Sequence, residues 1–318
     1  MEAYILEKNG GLENLKKTTL TTPRVKAGEV LIQTKAIGIN PIDVQVRSSK
    51  DILGMITGGI FPEHVILGWD VAGIVEHVGE EVTAFKPGDA VYGLVNMPGL
   101  GSTYATQVIA QADQLTHKPE NLSFIAAGAT PMSAMTAWQA VINLANIQKG
   151  DKVLIHAASG GVGHFAVQFA KERGAYAIGT ASGKNEEFVR SLGVDEFLDY
   201  TAGPFEAKVN NVDVVIDTIN SVEHILRSIS VIKRDGRLVY LQPHFAEALS
   251  VKLEENGVSG LGVFVNSSAK VLTEISNLIK AGKVTPKITQ VFAFDQLFEA
   301  QAAVESGRAT GKVAVEVK

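Results

Sequence analysis

The chain has 318 residues, 46% hydrophobic, 20% charged and 7% aromatic, a globular composition long enough for about two domains of ~150 residues each. It contains no cysteine, which excludes disulfides, thiolate nucleophiles, iron–sulfur clusters and any zinc site built on Cys ligands. Twenty-nine basic residues against 34 acidic ones give a net charge of −5, and no basic tract stands out, so no nucleic-acid partner is expected.

The opening segment Met1–Lys8 carries an acid at once and has no apolar stretch of its own, so a signal peptide is not expected. No apolar run approaches the ~18–20 residues that span a bilayer. No membrane partner is therefore expected, and the cytoplasm is the expected location.

Two textures follow one another along the chain. Up to about residue 120, strand-like runs (Glu29–Ile37, Asp70–Val78, Ala90–Val95, Tyr104–Ala110) alternate with Gly/Pro turns such as Pro87-Gly88-Asp89, the pattern of an all-β barrel or sandwich. Ser123 then caps an Ala-rich helical stretch, interrupted by Pro131 and ending near Lys149-Gly150. Beyond it, six apolar strands alternate with helices: Lys152–His156, Ala175–Thr180, Glu196–Leu198, Val212–Asp217, Arg237–Leu241 and Val258–Val265. That alternation predicts an α/β region with a doubly wound parallel sheet. The tail from Ser267 carries helices over Ala269–Ala281 and Phe294–Ser306, a short strand near Ile288 and a closing strand, Lys312–Val317.

The strongest local signal runs from His156 to Gly163. It follows a predicted strand and opens a predicted helix, with Gly160 and Gly161 placed to let backbone N–H groups approach a pyrophosphate and Gly163 to allow close helix–strand packing. Ala158 stands where the first glycine of the dinucleotide fingerprint belongs, so the strand–loop–helix context carries the assignment. The segments Gly179–Asn185 and Gly307–Val313 are each one residue short of a nucleoside-triphosphate loop. About 20 residues after the glycines, where NAD enzymes place a carboxylate for the ribose 2′-hydroxyl, the chain reads Thr180, Ala181, Ser182, Gly183, Lys184, Asn185. Ser182 and Lys184 suit a 2′-phosphate, so NADPH is the expected cofactor.

The segments Gly38–Asp43, Leu67–Val75, Lys86–Gly93, Met135–Trp138, the glycine loop, Ser191–Asp195 with Asp199-Tyr200, and Ala309–Val313 occur in one order. In that order they resemble the medium-chain dehydrogenase/reductase superfamily, specifically its zinc-free quinone oxidoreductase and enone (2-alkenal) reductase branch. The resemblance covers essentially the whole chain. It implies a GroES-like β-barrel catalytic domain (residues 1–122 and 267–318), a Rossmann domain (123–266) and an active site in the cleft between them. It also implies pairing of two copies along the outer sheet edge near Val258–Val265. By the same resemblance, Asn40 and Thr136 lie near the nicotinamide, and Ser159, Gly160, Gly161 and Val162 hold the pyrophosphate. Thr180, Ser182, Lys184 and Tyr200 hold the adenosine phosphate end, with Thr218, Leu241, Phe264, Val265 and Lys312 along the remainder. The zinc-bearing relatives place their ligands where this chain reads Asn40, Trp69 and about Met132, none of which suits zinc, so no metal is expected.

Hydride donation to a quinone, or to the C=C bond of an α,β-unsaturated carbonyl, asks little of the protein beyond orientation, an apolar slot and a donor for the developing oxyanion. Asn40 and Tyr92 are the candidate donors, although Tyr92 also reads as barrel packing. Met55, Trp69, Met97 and Phe264 are candidates for the slot, and the glycine-rich Arg47–Pro62 segment for a substrate loop. The seven histidines show neither metal spacing nor a Ser-His-Asp constellation. The competing expectation is an NADPH-binding protein of the same fold without turnover; the retained Asn40, Thr136 and glycine loop weigh against it.

Overall fold

The computed structural model describes residues 1–60 and 62–318. It divides into two compact units, one formed by Met1–Ser133, Val265–Gly282 and Pro286–Lys318, the other by Ala134–Phe264 and Lys283–Thr285.

The first unit is built on an antiparallel sheet whose long central strand, Glu29–Ile39, pairs with Asp70–Val78, with Gln107–Gln111 and with the closing strand Lys312–Glu316. The tail thus completes the sheet begun by the N-terminal third. Most of the central strand is buried on both faces, with Val30, Leu31, Ile32, Ala36, Ile37 and Ile39 all in the core. A three-stranded sheet, ordered Leu15–Thr19, Glu2–Leu6, Val65–Ile66, belongs to the same unit.

The Arg47–Pro62 segment corrects the sequence reading. It is helical through most of its length, with helices over Pro41–Ser48 and Lys50–Thr57. Pro41 sits at the first helical turn, where its missing N–H costs nothing, and Asp43 accepts the Asn40 N–H at 2.5 Å, one half of a capping box. Ser49 caps the second helix by accepting the Ile52 N–H, and Gly58 ends it in the left-handed region at φ 63°. Phe61, at the end of this segment, lies outside the described residues.

The second unit holds a six-stranded, wholly parallel sheet. Its order is Glu196–Asp199, Tyr176–Ala181, Lys152–Ile155, Val212–Asp217, Ile232–Tyr240, Ser259–Gly262. Numbered along the chain this is 3-2-1-4-5-6, the doubly wound arrangement. Order reverses between Lys152–Ile155 and Val212–Asp217, and ligands of such sheets bind beyond the strand ends at that point. The apolar side packing on this sheet includes Leu154, Ile178, Val215, Leu238, Ile225 and Ile229. Among the described residues no helix is long and apolar enough to cross a membrane.

Candidate active site

At the switch point the strand Lys152–Ile155 runs through His156 into the glycine loop, and the helix Gly163–Glu172 follows. The loop is tied down at Ala158, whose N–H reaches Thr180 O at 2.8 Å, and at Gly160, whose N–H reaches Ala157 O at 2.8 Å. A Cβ on Gly163 would stand 2.1 Å from Ala157 O, so only glycine lets the helix start this close to the loop. On Gly160 the nearest atom would be 3.1 Å away. Ser159, Gly160, Gly161 and Val162 are half-buried at the head of that helix, where backbone N–H groups lack intrahelical acceptors and the dipole is positive. The loop therefore fits a pyrophosphate.

Beyond the second strand, Thr180 is buried and Ser182 half-buried, while Lys184 is exposed and Tyr200 is 58% exposed. Asn185, which the sequence reading passed over, donates its Nδ2 to Ser159 Oγ at 3.3 Å and to Ser182 Oγ at 3.2 Å, joining the loop to the strand end. The nearby acid, Asp199, is occupied: the Thr201 hydroxyl and N–H, at 2.7 and 2.8 Å, hold it below the usual carboxylate range. Thr218 donates its hydroxyl to His156 O at 2.9 Å. Leu241 is half-buried, Thr136 buried and Phe264 exposed in this unit; Val265 falls in the other.

In the first unit Asn40 is buried with both ends of its amide held. Its Nδ2 donates to Asp70 Oδ2 at 2.9 Å, and its Oδ1 accepts from Lys312 Nζ. Asp70 also accepts the Met132 N–H at 2.6 Å. Burial pushes Asp70 up, against the pull of Lys312, the Asn40 amide and the Met132 N–H; burial likewise pushes Lys312 down, against Asp70 and Asp43. Burial raises Asp43 to about 8, opposed by the Asn40 N–H. Lys312, expected along the cofactor, is thus turned inward to this cluster and holds Asn40.

Other candidates are taken up by packing. Tyr92 is fully buried, its hydroxyl 2.6 Å from Ser276 Oγ, and burial pushes it up to about 12. Trp69 is fully buried and donates Nε1–H to Gly99 O at 2.7 Å, and Met97 is buried with its N–H bonded to Ser267 Oγ. Met55 is 66% exposed on the second helix.

The histidine reading is also corrected. Two strand ends and the helix Val222–Ile229 bring together His156, Asp217 and His224, whose ligating atoms all lie within 4.8 Å of one another. His224 Nδ1 is 2.9 Å from Asp217 Oδ2; Ser228 Oγ is 2.7 Å from the same oxygen and 3.2 Å from His156 Nε2. Burial would raise Asp217, but His224, His156 and Ser228 together hold it below its ordinary value. Burial lowers His156 to about 4, so its ring is neutral near pH 7. The cluster borders a cavity of about 430 Å³ lined by His156, Thr180, Tyr200, Phe205, Ile219, His224 and Arg227, among others.

Comparison with known proteins places the chain among oxidoreductases. Residues 26–120 match the family described as "Alcohol dehydrogenase GroES-like domain", and residues 192–315 the family described as "Zinc-binding dehydrogenase". The whole chain is 33% identical to a mitochondrial NAD(P)H oxidoreductase of Danio rerio, covering 91% of it. It is 31% identical to the 2-methylene-furan-3-one reductase of Solanum lycopersicum, over 99% of this chain and 79% of that one. Among solved structures, the quinone oxidoreductase from Coxiella burnetii superposes with a TM-score of 0.92 at 30% identity, covering 100% of this chain and 99% of the other.

Proposed function

Because the chain belongs to the medium-chain dehydrogenase/reductase superfamily, in its zinc-free quinone and enone reductase branch, and is an oxidoreductase of nicotinamide-dependent type, we propose that it uses NADPH to reduce quinones or the C=C bond of α,β-unsaturated carbonyls. The observation that supports the cofactor choice is the end of the second strand, where Ser182 and Lys184 stand and the neighbouring carboxylate, Asp199, is engaged by Thr201 and the Gly183 backbone. Charge-assisted hydrogen bonds to a 2′-phosphate contribute on the order of 1.5–3 kcal/mol each, enough for a tenfold to hundredfold preference over NADH.

NADPH, when bound, supplies a hydride. In quinone reduction that hydride and one proton from solvent give the hydroquinone; in enone reduction the hydride goes to the β-carbon and the proton to the α-carbon. The chain's part is placement. Ser159, Gly160, Gly161 and Val162 receive the pyrophosphate, Ser182, Lys184 and Tyr200 the adenosine phosphate, and Asn40, its amide fixed by Asp70 and Lys312, offers its remaining N–H as a donor near the nicotinamide. No metal is needed, since neither substrate passes through an alkoxide that a cation must stabilise.

The proposal extends to a homodimer paired along the exposed edge strand Ser259–Gly262 and to a cytoplasmic location. Light scattering and cell fractionation test these two points. The function itself is tested by following NADPH and NADH oxidation with a panel of quinones, 2-alkenals and primary alcohols, with and without chelator. Turnover of quinones or alkenals that survives chelator is expected; turnover of alcohols alone, or loss with chelator that the variant His224→Ala does not itself show without chelator, refutes the reading. Failure to oxidise either nucleotide with any of the acceptors favours the non-catalytic NADPH-binding alternative. Lys184→Ala is expected to raise KM for NADPH at least tenfold more than for NADH, roughly the loss of one such bond.

A further inference from the structure

A metal ion has three requirements of a protein site: donor atoms of suitable softness, a spacing they can close, and outer partners that fix the rings. In the second unit His156, Asp217 and His224 meet all three. Two imidazoles and a carboxylate form a borderline donor set suited to zinc and its neighbours rather than to magnesium or calcium. Their ligating atoms lie within 4.8 Å of one another, and a tetrahedral zinc brings such atoms to roughly 3.3 Å. The His224–Asp217 pair, at 2.9 Å, is already that close. His224 is the most exposed of the three and sits on a helix edge facing the cavity, so its ring has room to adjust.

The outer contacts orient the buried ring. His156 Nδ1 is 3.1 Å from Thr180 Oγ1, and the His156 carbonyl accepts the Thr218 hydroxyl. With Nδ1–H given to Thr180, the Nε2 lone pair faces the cluster. Protons inside the cluster are then scarce. The single hydroxyl proton of Ser228 has three acceptors within reach: Asp217 Oδ2 at 2.7 Å, His156 Nε2 at 3.2 Å and His224 O at 3.2 Å. A divalent cation satisfies the ring nitrogens and the carboxylate at once. The adjoining cavity supplies an entry path and space for a water as fourth ligand.

We propose that His156 Nε2, Asp217 Oδ2 and His224 Nδ1 form a zinc-binding site at the switch point of the parallel sheet, separate from the zinc positions of the family, which here read Asn40, Trp69 and Met132. The site stands on its own geometry and does not depend on the NADPH reading.

The test uses the full chain, stripped with chelator and titrated with zinc by calorimetry and with cobalt(II) by visible absorption, without substrate or nucleotide. One equivalent of zinc, with tetrahedral cobalt bands in the visible, is expected. His224→Ala should weaken zinc on the order of 100-fold or more, the upper end of what even outer-contact losses cause, while the exposed His77→Ala should bind as the parent does. His224 lies at the surface of its helix, and an unchanged circular dichroism spectrum of His224→Ala separates ligand loss from misfolding; should that variant misfold, Asp217→Asn replaces it. Absence of stoichiometric zinc, or equal zinc binding by the parent and the folded variant, overturns the site and leaves the three residues as a hydrogen-bonded network. Because the readouts are binding and absorption, failure here leaves the reductase reading untouched, and failure of turnover leaves this site untouched.

Discussion

Each unit holds a polar cluster built round a buried aspartate, and the two are treated in opposite ways. In the first, Asp43, Asp70, Lys312 and Asn40 are all buried, and burial drives acids up and the lysine down, toward uncharged forms. In the second, Asp217 is buried but kept ionised by His224, whose side chain is 18% exposed beside a cavity. A closed cluster gains fixed geometry, and its cost is desolvation that the neighbours must offset. A cluster with one member only partly buried at a cavity keeps a charge and an entrance. The first suits holding an amide such as Asn40 in one orientation; the second suits exchanging something with the cavity.

The largest effect that distinguishes the two comes from removing the only cation the first cluster contains among the described residues. Lys312→Met leaves Asp70 buried without its counter-charge and Asn40 Oδ1 without its donor. The expected loss is about 3–5 kcal/mol, and a second change, Asp70→Asn, should restore part of it. The chain's two tryptophans divide the readout: Trp69 belongs to the first unit and Trp138 to the second. Urea unfolding followed by Trp69, in a Trp138→Phe background, measures the change. A loss below about 1 kcal/mol, the scale of an exposed ion pair, would mean that Lys312 is effectively solvated and the cluster is not closed.

Acid and base separate the clusters by sign. His156 falls from 6.5 to about 4 on folding, so between those values the unfolded chain binds more protons. Its contribution, about 3 kcal/mol, is present above pH 6.5 and is lost as pH falls through 4. Asp43 rises from 3.8 to about 8, so the folded form holds the extra proton; its contribution is present below 3.8 and declines as pH rises toward 8. The Trp138 signal should therefore weaken toward acid, and His156→Gln should flatten that limb. The Trp69 signal should weaken toward alkali, with Asp43→Asn flattening it. Parallel limbs in both signals would erase the contrast.

One glycine that cannot grow stands against the first cluster, and another stands in the glycine loop of the second unit. A Cβ on Gly38 would meet Asp70 Oδ2 at 2.7 Å, Gly128 O at 2.8 Å and the Ala129 Cα at 2.9 Å; one on Gly163 would meet Ala157 O at 2.1 Å. Both Gly→Ala changes force backbone to move and should cost roughly 1–3 kcal/mol. Only Gly163→Ala should also raise the Kd for NADPH, measured by fluorescence titration, because the displaced atoms belong to the pyrophosphate loop. Gly160→Ala, whose nearest neighbour is 3.1 Å away, should be the milder loop variant.

Much of this was visible in the sequence, and what was not has physical reasons. The alternation after Lys152 and the glycine loop after a strand marked the parallel sheet and its ligand end, because strand and loop chemistry are local. The helices of the 41–57 region were signalled by Asn40, Pro41 and Asp43 at cap spacing, but the glycines that follow made the segment read as loop. The histidine cluster was hidden for a different reason. His156 and Asp217 are 61 positions apart and meet because Ile155 pairs with Ile216 across the parallel sheet. The i, i+4 spacing of His224 and Ser228 was visible, but nothing local says that this helix face turns toward Asp217. The bond from Lys312 to Asn40 could not be read in advance, because a resemblance locates a residue in a motif without saying which way its side chain points.

The smallest expected effect concerns Tyr92, which the sequence offered as a proton donor. Ser276 Oγ gives its proton to Leu272 O at 2.7 Å, so the Tyr92 hydroxyl is the donor in its 2.6 Å contact with Ser276. With burial pushing it up to about 12, the phenol keeps its proton throughout the physiological range and spends it inside the barrel. Tyr92→Phe should then cost about 1 kcal/mol of stability by the Trp69 signal, the usual net value of one neutral hydrogen bond. It should leave kcat for quinone and alkenal unchanged. A fall in kcat of tenfold or more with stability intact would move Tyr92 from the packed interior of the first unit to the reaction itself.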